Sequence, residues 1–351
     1  MDTKVINIDR KDIDKEALKE AAKIIRGGGL VAFPTETVYG LGADAFNKDA
    51  AKKIYGAKKR PSDNPLIVHI ADFCELDKIV SEVSEDARKL MDRFWPGPMT
   101  LILKKKEGIP SQTTAGLDTV AVRMPEDELA REFIRLCKTP IAAPSANLSG
   151  SPSPTSAEHV YKDMKGRIDM LIASDDSKVG LESTIVDVSV SIPLVLRPGA
   201  ITLNMLREVN ENISIDPAIL KKPEKDLLPK APGMKYRHYA PKAKLVIVEG
   251  DFDKFKSFVE KEKGLAAGKK IGLILTEENK GKIEADEVEY VGSRLSYEDI
   301  AHNLFAVLRR FDEKNIDILR TQRAGFRRSK RVRGVREAKQ NLPKRALRNK
   351  I

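Results

Sequence analysis

The sequence predicts an α/β protein of two domains, each built on a sheet with helices between its strands. Three observations predict it. The chain has 351 residues, 41% of them hydrophobic, enough for more than one sizeable core. Short apolar runs alternate with amphipathic stretches up to about residue 205, and again from 244 onward. Between them, residues 213–243 are rich in Pro and Lys and follow neither the helical nor the strand period, which reads as an extended linker. The expected organisation is a first domain over 1–212, the linker over 213–243 and a second domain over 244–351.

Each element has a local reason. In "DKEALKEAAKIIRGGG", Ala17, Leu18, Ala21, Ala22 and Ile25 recur at helical spacing until three glycines stop the run. "LVAF" is a short apolar strand leading into "PTETVYGLGAD", whose Gly, Thr and Pro content marks a functional loop. "DAAKKIYGAKKR" is helical, with Lys58 and Arg60 at or just past its C-terminal end before Pro61 forbids continuation. "PLIVHI", "MTLILKK" and "DTVAVRMP" read as strands, and "EDELAREFIRLCK" as a helix before the strand "PIAAPS". "LESTIVDVS" and "PLVLRPGAI" are two more strands. After the linker, "KLVIVEG", a helix around "FKSFVEKEK", "KKIGLILTE", "VEYVG" and the helix "SYEDIAHNLFAVLRRFDEK" alternate as a small parallel α/β sheet would.

The formal net charge of +11 is unevenly placed. Residues 320–351 hold nine Arg, four Lys and one Glu, a sum of +12, so residues 1–319 carry 11 − 12 = −1. The body is neutral, and the overall charge is no argument for a nucleic-acid-binding fold. No apolar run approaches the roughly 20 residues that span a bilayer. The start, "MDTKVINIDRKD", lacks the basic-then-apolar order of a signal peptide, so a cytoplasmic, membrane-free protein is expected. Cys74 and Cys137 supply neither a disulfide framework nor a Cys-based zinc site, and both are expected to be buried small hydrophobes.

Several stretches carry both a structural and a chemical reading. Lys58, Lys59 and Arg60 suit a solvated helix end as well as an anion. "APSANLSGSPSPTS" is either a serine-rich connection or a donor-rich loop at a strand end, where α/β sheets bind ligands. His69 shares a strand face with Ile67, as a core imidazole or as a pocket wall. Arg123 and Arg197 end apolar strands, pointing to water or taking a carboxylate or phosphate. "MKYRHYAP" in the linker interleaves cations and rings, as a docking segment or a lid over a nucleotide. Neither "GxxxxGK[ST]" nor "GxGxxG" occurs, so any ATP site has another architecture.

Taken together, "FPTETVYGLG", "KKRP…NPL", "WPGPMT", "TVAVRMP", "APSANLSG", "STIVD", "LRPG" and "PGMKYRHYAP" resemble the YrdC-like threonylcarbamoyl-AMP synthases in their longer two-domain Sua form. The resemblance implies a YrdC-like twisted mixed sheet with a central cavity, followed by a smaller Rossmann-like domain. It implies conversion of L-threonine, bicarbonate and ATP to threonylcarbamoyl-AMP and pyrophosphate, the first step of a tRNA threonylcarbamoyladenosine modification, with Mg²⁺ carried on the phosphates. The family's Lys-x-Arg and Ser-x-Asn pairs fall on Lys58, Arg60, Ser145 and Asn147 as catalytic residues. The same match places threonine on Thr37, His69, Arg123 and Ser183. It places ATP on Arg60, Asn64, Thr119, Ala143 through its backbone, Ser145, Ser153 and Arg197, with Tyr236 and His238 reaching in from the linker. No protein ligand for the metal is implied, and the downstream partner is the tRNA-modifying transferase machinery. Lys58 and Arg60 are expected at a polar loop mouth, so that their loss would cost turnover more than folding.

The chain departs from the family at "LRTQRAGFRRSKRVRGVREAKQNLPKRALRNKI", where a helix is expected and an Arg-rich text stands. A basic tail that contacts RNA, a divergent last helix and a coding end read out of frame all fit; the third is favoured because the chain is not lengthened. Two rival functions stand beside the synthase, the first from the residues and the second from the resemblance, since it shares the YrdC-like domain. A non-catalytic RNA-binding protein would use this basic stretch. A carbamoyl-transfer enzyme of the hydrogenase-maturation type would need Cys-rich zinc modules that two Cys cannot supply.

Overall fold

The computed structural model describes residues 2–219, 229–232, 234, 240–266 and 268–323. The chain divides into two compact units, 1–237 and 238–351.

The first unit runs β1 (Lys4–Asn7), α1 (Lys15–Arg26), β2 (Val31–Phe33), β3 (Gly40–Asp44), α2 (Lys48–Lys58), β4 (Ile67–His69), α3 (Glu85–Phe94) and β5 (Met99–Lys104). It continues with the single turn α4 (Ser111–Thr114), β6 (Thr119–Arg123), α5 (Glu128–Cys137), β7 (Ile141–Ala142), α6 (Ala157–Met164), β8 (Met170–Ala173), β9 (Thr184–Asp187), β10 (Leu194–Arg197), α7 (Leu203–Arg207) and β11 (Ser214–Ile215). Helix starts follow capping chemistry: the Asp14 carboxylate accepts the amides of Glu16 and Ala17, and Asp127 accepts that of Ala130. Helix α2 stops because Lys59 turns left-handed, at φ 53°, and Arg60 N–H reaches back to the Tyr55 carbonyl.

The strands form one mixed sheet of eleven, in the order β1-β8-β2-β3-β7-β4-β6-β5-β9-β10-β11. Parallel pairs such as β4 with β6 and β5 with β9 alternate with antiparallel ones such as β5 with β6. Helices α1 and α5 bury Leu18, Ala22, Phe133 and Ile134 against Val31, Phe33 and Ile172. A separate, larger core joins Ile54, Leu90, Trp95, Leu101 and Val122. A third apolar strip, Ile67, Ile102, Ala121, Ile185 and Leu196, is covered by Ala231 and Met234. Part of the segment expected as an extended linker packs on the first unit: Ser214–Ile215 pairs with β10, and Ala231 and Met234 lie buried on the sheet. The apolar residues among its prolines are what anchor it.

The second unit contains β12 (Lys244–Val248), α8 (Phe252–Leu265), β13 (Ile271–Leu275), β14 (Glu287–Tyr290), α9 (Tyr297–Glu313) and β15 (Ile318–Gln322). Its sheet is parallel throughout, in the order β12-β15-β13-β14, as the alternation predicts. Phe255 and Val259 of α8 pack on Leu273 and Leu275. Gly272 is required where Phe311 presses on β13: a Cβ there would lie 2.7 Å from its ring. The first residues of the basic stretch, expected from about residue 320, are described. Arg320, Thr321 and Gln322 are strand residues, and the buried Arg320 guanidinium pairs with Glu262 and bonds the Lys244 carbonyl. Residues 324–351 lie outside the described residues, so the tail readings concern residues not described here.

Cys137 is buried as expected, and its thiol is pushed up by burial. Cys74 is exposed instead, because "FCELDK" forms a one-sided surface 3₁₀ turn in which Leu76 alone is buried.

Candidate active site

Strand register draws one polar row across the middle of the first sheet. His69 stands opposite Arg123, Arg123 opposite Thr100, Thr100 opposite Ile185 and Ile185 opposite Arg197. Because side chains alternate along a strand, His69 shares a face with Ile67, Arg123 with Ala121 and Thr100 with Ile102. These polar groups thus continue the apolar strip that carries Ala231 and Met234.

Arg123 is the centre of the row and is only 4% exposed. Its Nη1 donates to Thr37 Oγ1 at 2.7 Å, its Nη2 to Glu36 Oε1 at 2.6 Å, and its Nε to the Gly97 carbonyl at 3.4 Å. Thr37 is steadied by Thr35, whose hydroxyl lies 2.9 Å away and also bonds the Val38 carbonyl. Arg123 thus does not point to water, one of the two readings open from sequence; a carboxylate and a hydroxyl of the "PTETVYG" loop hold it. His69 Nδ1 lies 3.2 Å from the Ile67 carbonyl, so Nδ1 carries the proton and Nε2 keeps its lone pair. Burial and the Arg123 charge lower its pKa to about 3, and the ring is neutral at physiological pH.

At the far end of the row, Ser183 Oγ lies 2.7 Å from Thr100 Oγ1. The buried Arg197 bonds Ser183 twice, Nη2 to its hydroxyl and Nε to its carbonyl, each at 3.0 Å. Ser153, fully buried, donates to Glu182 Oε1 at 2.5 Å, which ties the end of the serine-rich loop to the residue before Ser183.

A second cluster forms where that loop leaves the sheet. Ala143 N–H donates to the Ile67 carbonyl at 2.8 Å, so its amide is already used and its carbonyl is the backbone group left to a ligand. Two residues on, Ser145 donates to Asn147 Oδ1 at 2.5 Å, and Asn147 Nδ2 donates to the carbonyls of Leu148 and Ser151. Lys58 reaches into this loop. Its ammonium donates to the Ser145 carbonyl and, at 2.6 Å, to the Asn147 carbonyl, while the Ser149 amide returns to the Lys58 carbonyl. Lys58 is 1% exposed, not at an open loop mouth, and a backbone carbonyl pair is what draws its charge inward. Arg60 is half-buried and donates to the Asn64 and Pro65 carbonyls. Asn64 is buried, and its Oδ1 has no hydrogen-bond partner among the described residues. Thr119 begins β6 on the Arg123 face, two alternations away with Ala121 between.

The structure thus joins Thr37, His69, Arg123, Ser183 and Arg197 in one row, and Lys58, Ser145 and Asn147 in one loop. Arg60 and Asn64 form a neighbouring turn. Tyr236 and His238 lie outside the described residues. Sequence reading passed over Glu36 and Thr100. Glu36 was visible as the one acid in "PTETVYG", and Thr100 as the polar residue two before Ile102 in an apolar strand.

Comparison with known proteins agrees with this architecture. A family model described as "Telomere recombination", for the Sua5, YciO and YrdC group, matches residues 23–199. A second, "Threonylcarbamoyl-AMP synthase, C-terminal domain", matches 201–337. The threonylcarbamoyl-AMP synthase of Pyrococcus abyssi is 48% identical over 319 residues, 90% of this chain and 91% of that protein. The Bacillus subtilis one is 47% identical over 303 residues, 86% of each. The crystal structure of P. abyssi Sua5 complexed with L-threonine superposes with a TM-score of 0.86 at 47% identity, covering 92% of this chain and 93% of that one. The chain therefore belongs to the threonylcarbamoyl-AMP synthase family in its two-domain form, a YrdC-type domain followed by a Sua5 C-terminal domain.

Proposed function

We propose that this chain joins L-threonine, bicarbonate and ATP into threonylcarbamoyl-AMP and pyrophosphate, with the amino acid on the polar row and the nucleotide on the loop gathered by Lys58. The observation that carries the assignment is Arg123. A guanidinium has five N–H groups, and three of these are taken by Thr37, Glu36 and Gly97. One N–H remains on each terminal nitrogen, which suits a carboxylate. The threonine complex of the 47% identical Pyrococcus protein supports the same ligand here.

In this reading Arg123 takes the carboxylate, and Thr37, Ser183 and the Nε2 lone pair of His69 surround the rest of the amino acid. Arg60, Asn64, Thr119, the Ala143 carbonyl, Ser145, Ser153 and Arg197 line the nucleotide. Lys58, Arg60, Ser145 and Asn147 hold the phosphates as charge builds on them. The chemistry asks for little else. The threonine amine, having lost a proton, attacks the carbon of bicarbonate and water leaves, giving a carbamate. A carbamate oxygen then attacks the α-phosphorus as the bond to pyrophosphate breaks. Positioning and charge stabilisation suffice, without a covalent enzyme intermediate.

Among the described residues no group of three or more His, Cys, Asp or Glu could hold a metal ion. Mg²⁺ is accordingly proposed to arrive on the ATP phosphates, with no protein ligand assigned. Among the described residues no helix is long and apolar enough to cross a membrane, which is compatible with work in the cytoplasm. The product, a reactive mixed anhydride, is proposed to pass to a tRNA-modifying transferase, with RNA contact through the basic stretch.

The test is pyrophosphate release by the purified chain with ATP, Mg²⁺ and bicarbonate, with and without L-threonine, and mass analysis of the nucleotide product. Threonine-dependent release with a threonylcarbamoyl-adenylate mass is expected. Release that ignores threonine, or none from folded protein that binds ATP, would refute the assignment.

A further inference from the structure

Glu36 is a buried carboxylate with half of its hydrogen-bonding capacity unused. It is 3% exposed; Oε1 accepts from Arg123, and Oε2 has no hydrogen-bond partner among the described residues. Leaving a buried carboxylate oxygen unpaired is costly, so such an atom in a ligand-binding wall marks where a ligand donor belongs.

Charge balance says what kind of donor. Arg123 and Glu36 cancel, His69 is neutral, and the neighbouring Arg10 and Asp127 cancel in their own pair at 3.0 Å. Charges therefore balance around Arg123, with Arg197 standing at the far end of the row on Ser183. A simple carboxylic acid entering beside Arg123 as its anion would leave Glu36 Oε2 still unpaired, whereas an α-amino acid in its zwitterionic form brings a donor for that oxygen as well. The two groups also lie together: Glu36 bonds one terminal nitrogen of the Arg123 guanidinium directly, so its free oxygen and the carboxylate-binding N–H groups border the same place.

We propose that Glu36 is the specificity-determining residue for a zwitterionic amino acid, its Oε2 receiving the α-ammonium of the ligand whose carboxylate Arg123 holds. This rests on the amino-acid reading of the polar row given above. It assigns Glu36 a contact with substrate beyond its support of Arg123, and makes the row discriminate on the amine as well as on the side chain.

The test compares, by calorimetry on the full chain, L-threonine with 3-hydroxybutyrate, which keeps the carboxylate and hydroxyl but lacks the amine. Wild-type protein should prefer L-threonine. In Glu36→Gln, threonine should weaken by about tenfold or more, the loss expected for a charge-assisted hydrogen bond, while 3-hydroxybutyrate holds or tightens. The preference ratio therefore collapses. Equal weakening of both ligands would mean that Glu36 only props Arg123, and an unchanged ratio would mean that the ammonium binds elsewhere; either overturns the proposal. Should Glu36→Gln not fold, Glu36→Asp keeps the charge beside Arg123 but withdraws it by one methylene, and the ratio must still drop; if it does not, the proposal is overturned. If wild-type protein fails to bind threonine, or Arg123→Ala binds it equally well, the fault lies with the amino-acid site itself.

Discussion

Replacing Lys58 with Met keeps most of the aliphatic stem and removes only the ammonium. In the folded chain that ammonium donates to the Ser145 and Asn147 carbonyls from a position 1% exposed. Each such charge-assisted bond contributes about 1.5–3 kcal/mol, and the two orphaned carbonyls gain no water in a buried loop. Against this, the variant no longer has to bury a charge, which returns part of the loss. A net destabilisation of about 2–4 kcal/mol follows. For a unit of this size it lowers the unfolding midpoint by roughly 4–16 °C, at about 2–4 °C per kcal/mol. Pyrophosphate release should fall with it, because Ser145 and Asn147 lose the clamp that sets their loop. Scanning calorimetry of the first unit's transition, read beside turnover at a temperature where both proteins are folded, makes the comparison. Abolished turnover with the midpoint moved by less than about 2 °C would refute the clamp and leave contact with the phosphates as the sole role of the ammonium.

Three further outcomes follow from the same geometry. Arg123→Lys cannot offer two parallel donors while also holding Glu36 and Thr37, so the KM for threonine should rise about tenfold or more with a smaller change in kcat; an unchanged KM in steady-state assays would refute it. The His69 pKa is lowered to about 3, so between that value and the ordinary 6.5 the unfolded chain binds a proton that the native one refuses, and stability falls as pH falls. Over pH 6 to 4, wild type should lose up to about 1.4 kcal/mol per pH unit more than His69→Gln in urea titrations; parallel losses would count against a buried neutral ring. Finally, a thiol reagent should modify the exposed Cys74 at once and the buried Cys137 only on unfolding, and mass spectrometry showing two fast adducts would contradict the packing.

The strands and helices were legible because each carried its own periodicity. Leu18, Ala22 and Ile25 mark the buried side of α1, and Met99 to Leu103 form the short, mostly apolar run of a strand buried on both faces. The site residues were legible through motif resemblance, and the reasons for their behaviour were not. Nothing local in "KKRP" says that Lys58 turns inward, because the carbonyls that draw it lie 87 and 89 residues away. Glu36 and Thr100 escaped notice for the same reason: an acid in a loop and a hydroxyl in a strand gain meaning only when Arg123 and Ser183 arrive beside them. Composition did not reveal where the proline-rich segment rests. Its Ala231 and Met234 are few among the lysines, but they fall on an apolar strip assembled from five different strands.

The strand order of the second unit has a consequence for how it is made. Among the described residues strand β12 has a single sheet neighbour, β15, with Val246 beside Arg320, so it waits through the synthesis of some seventy residues before that partner exists. During that interval Leu245, Val246, Ile247 and Val248 present an unpaired apolar edge, and β13 likewise lacks one of its two neighbours. The growing chain cannot close this unit from its beginning; β15 is the keystone. A translation pause or a proteolytic cut between β14 and β15 would therefore release a finished first unit joined to an open, self-adhesive sheet, which is a form that chaperones and proteases recognise.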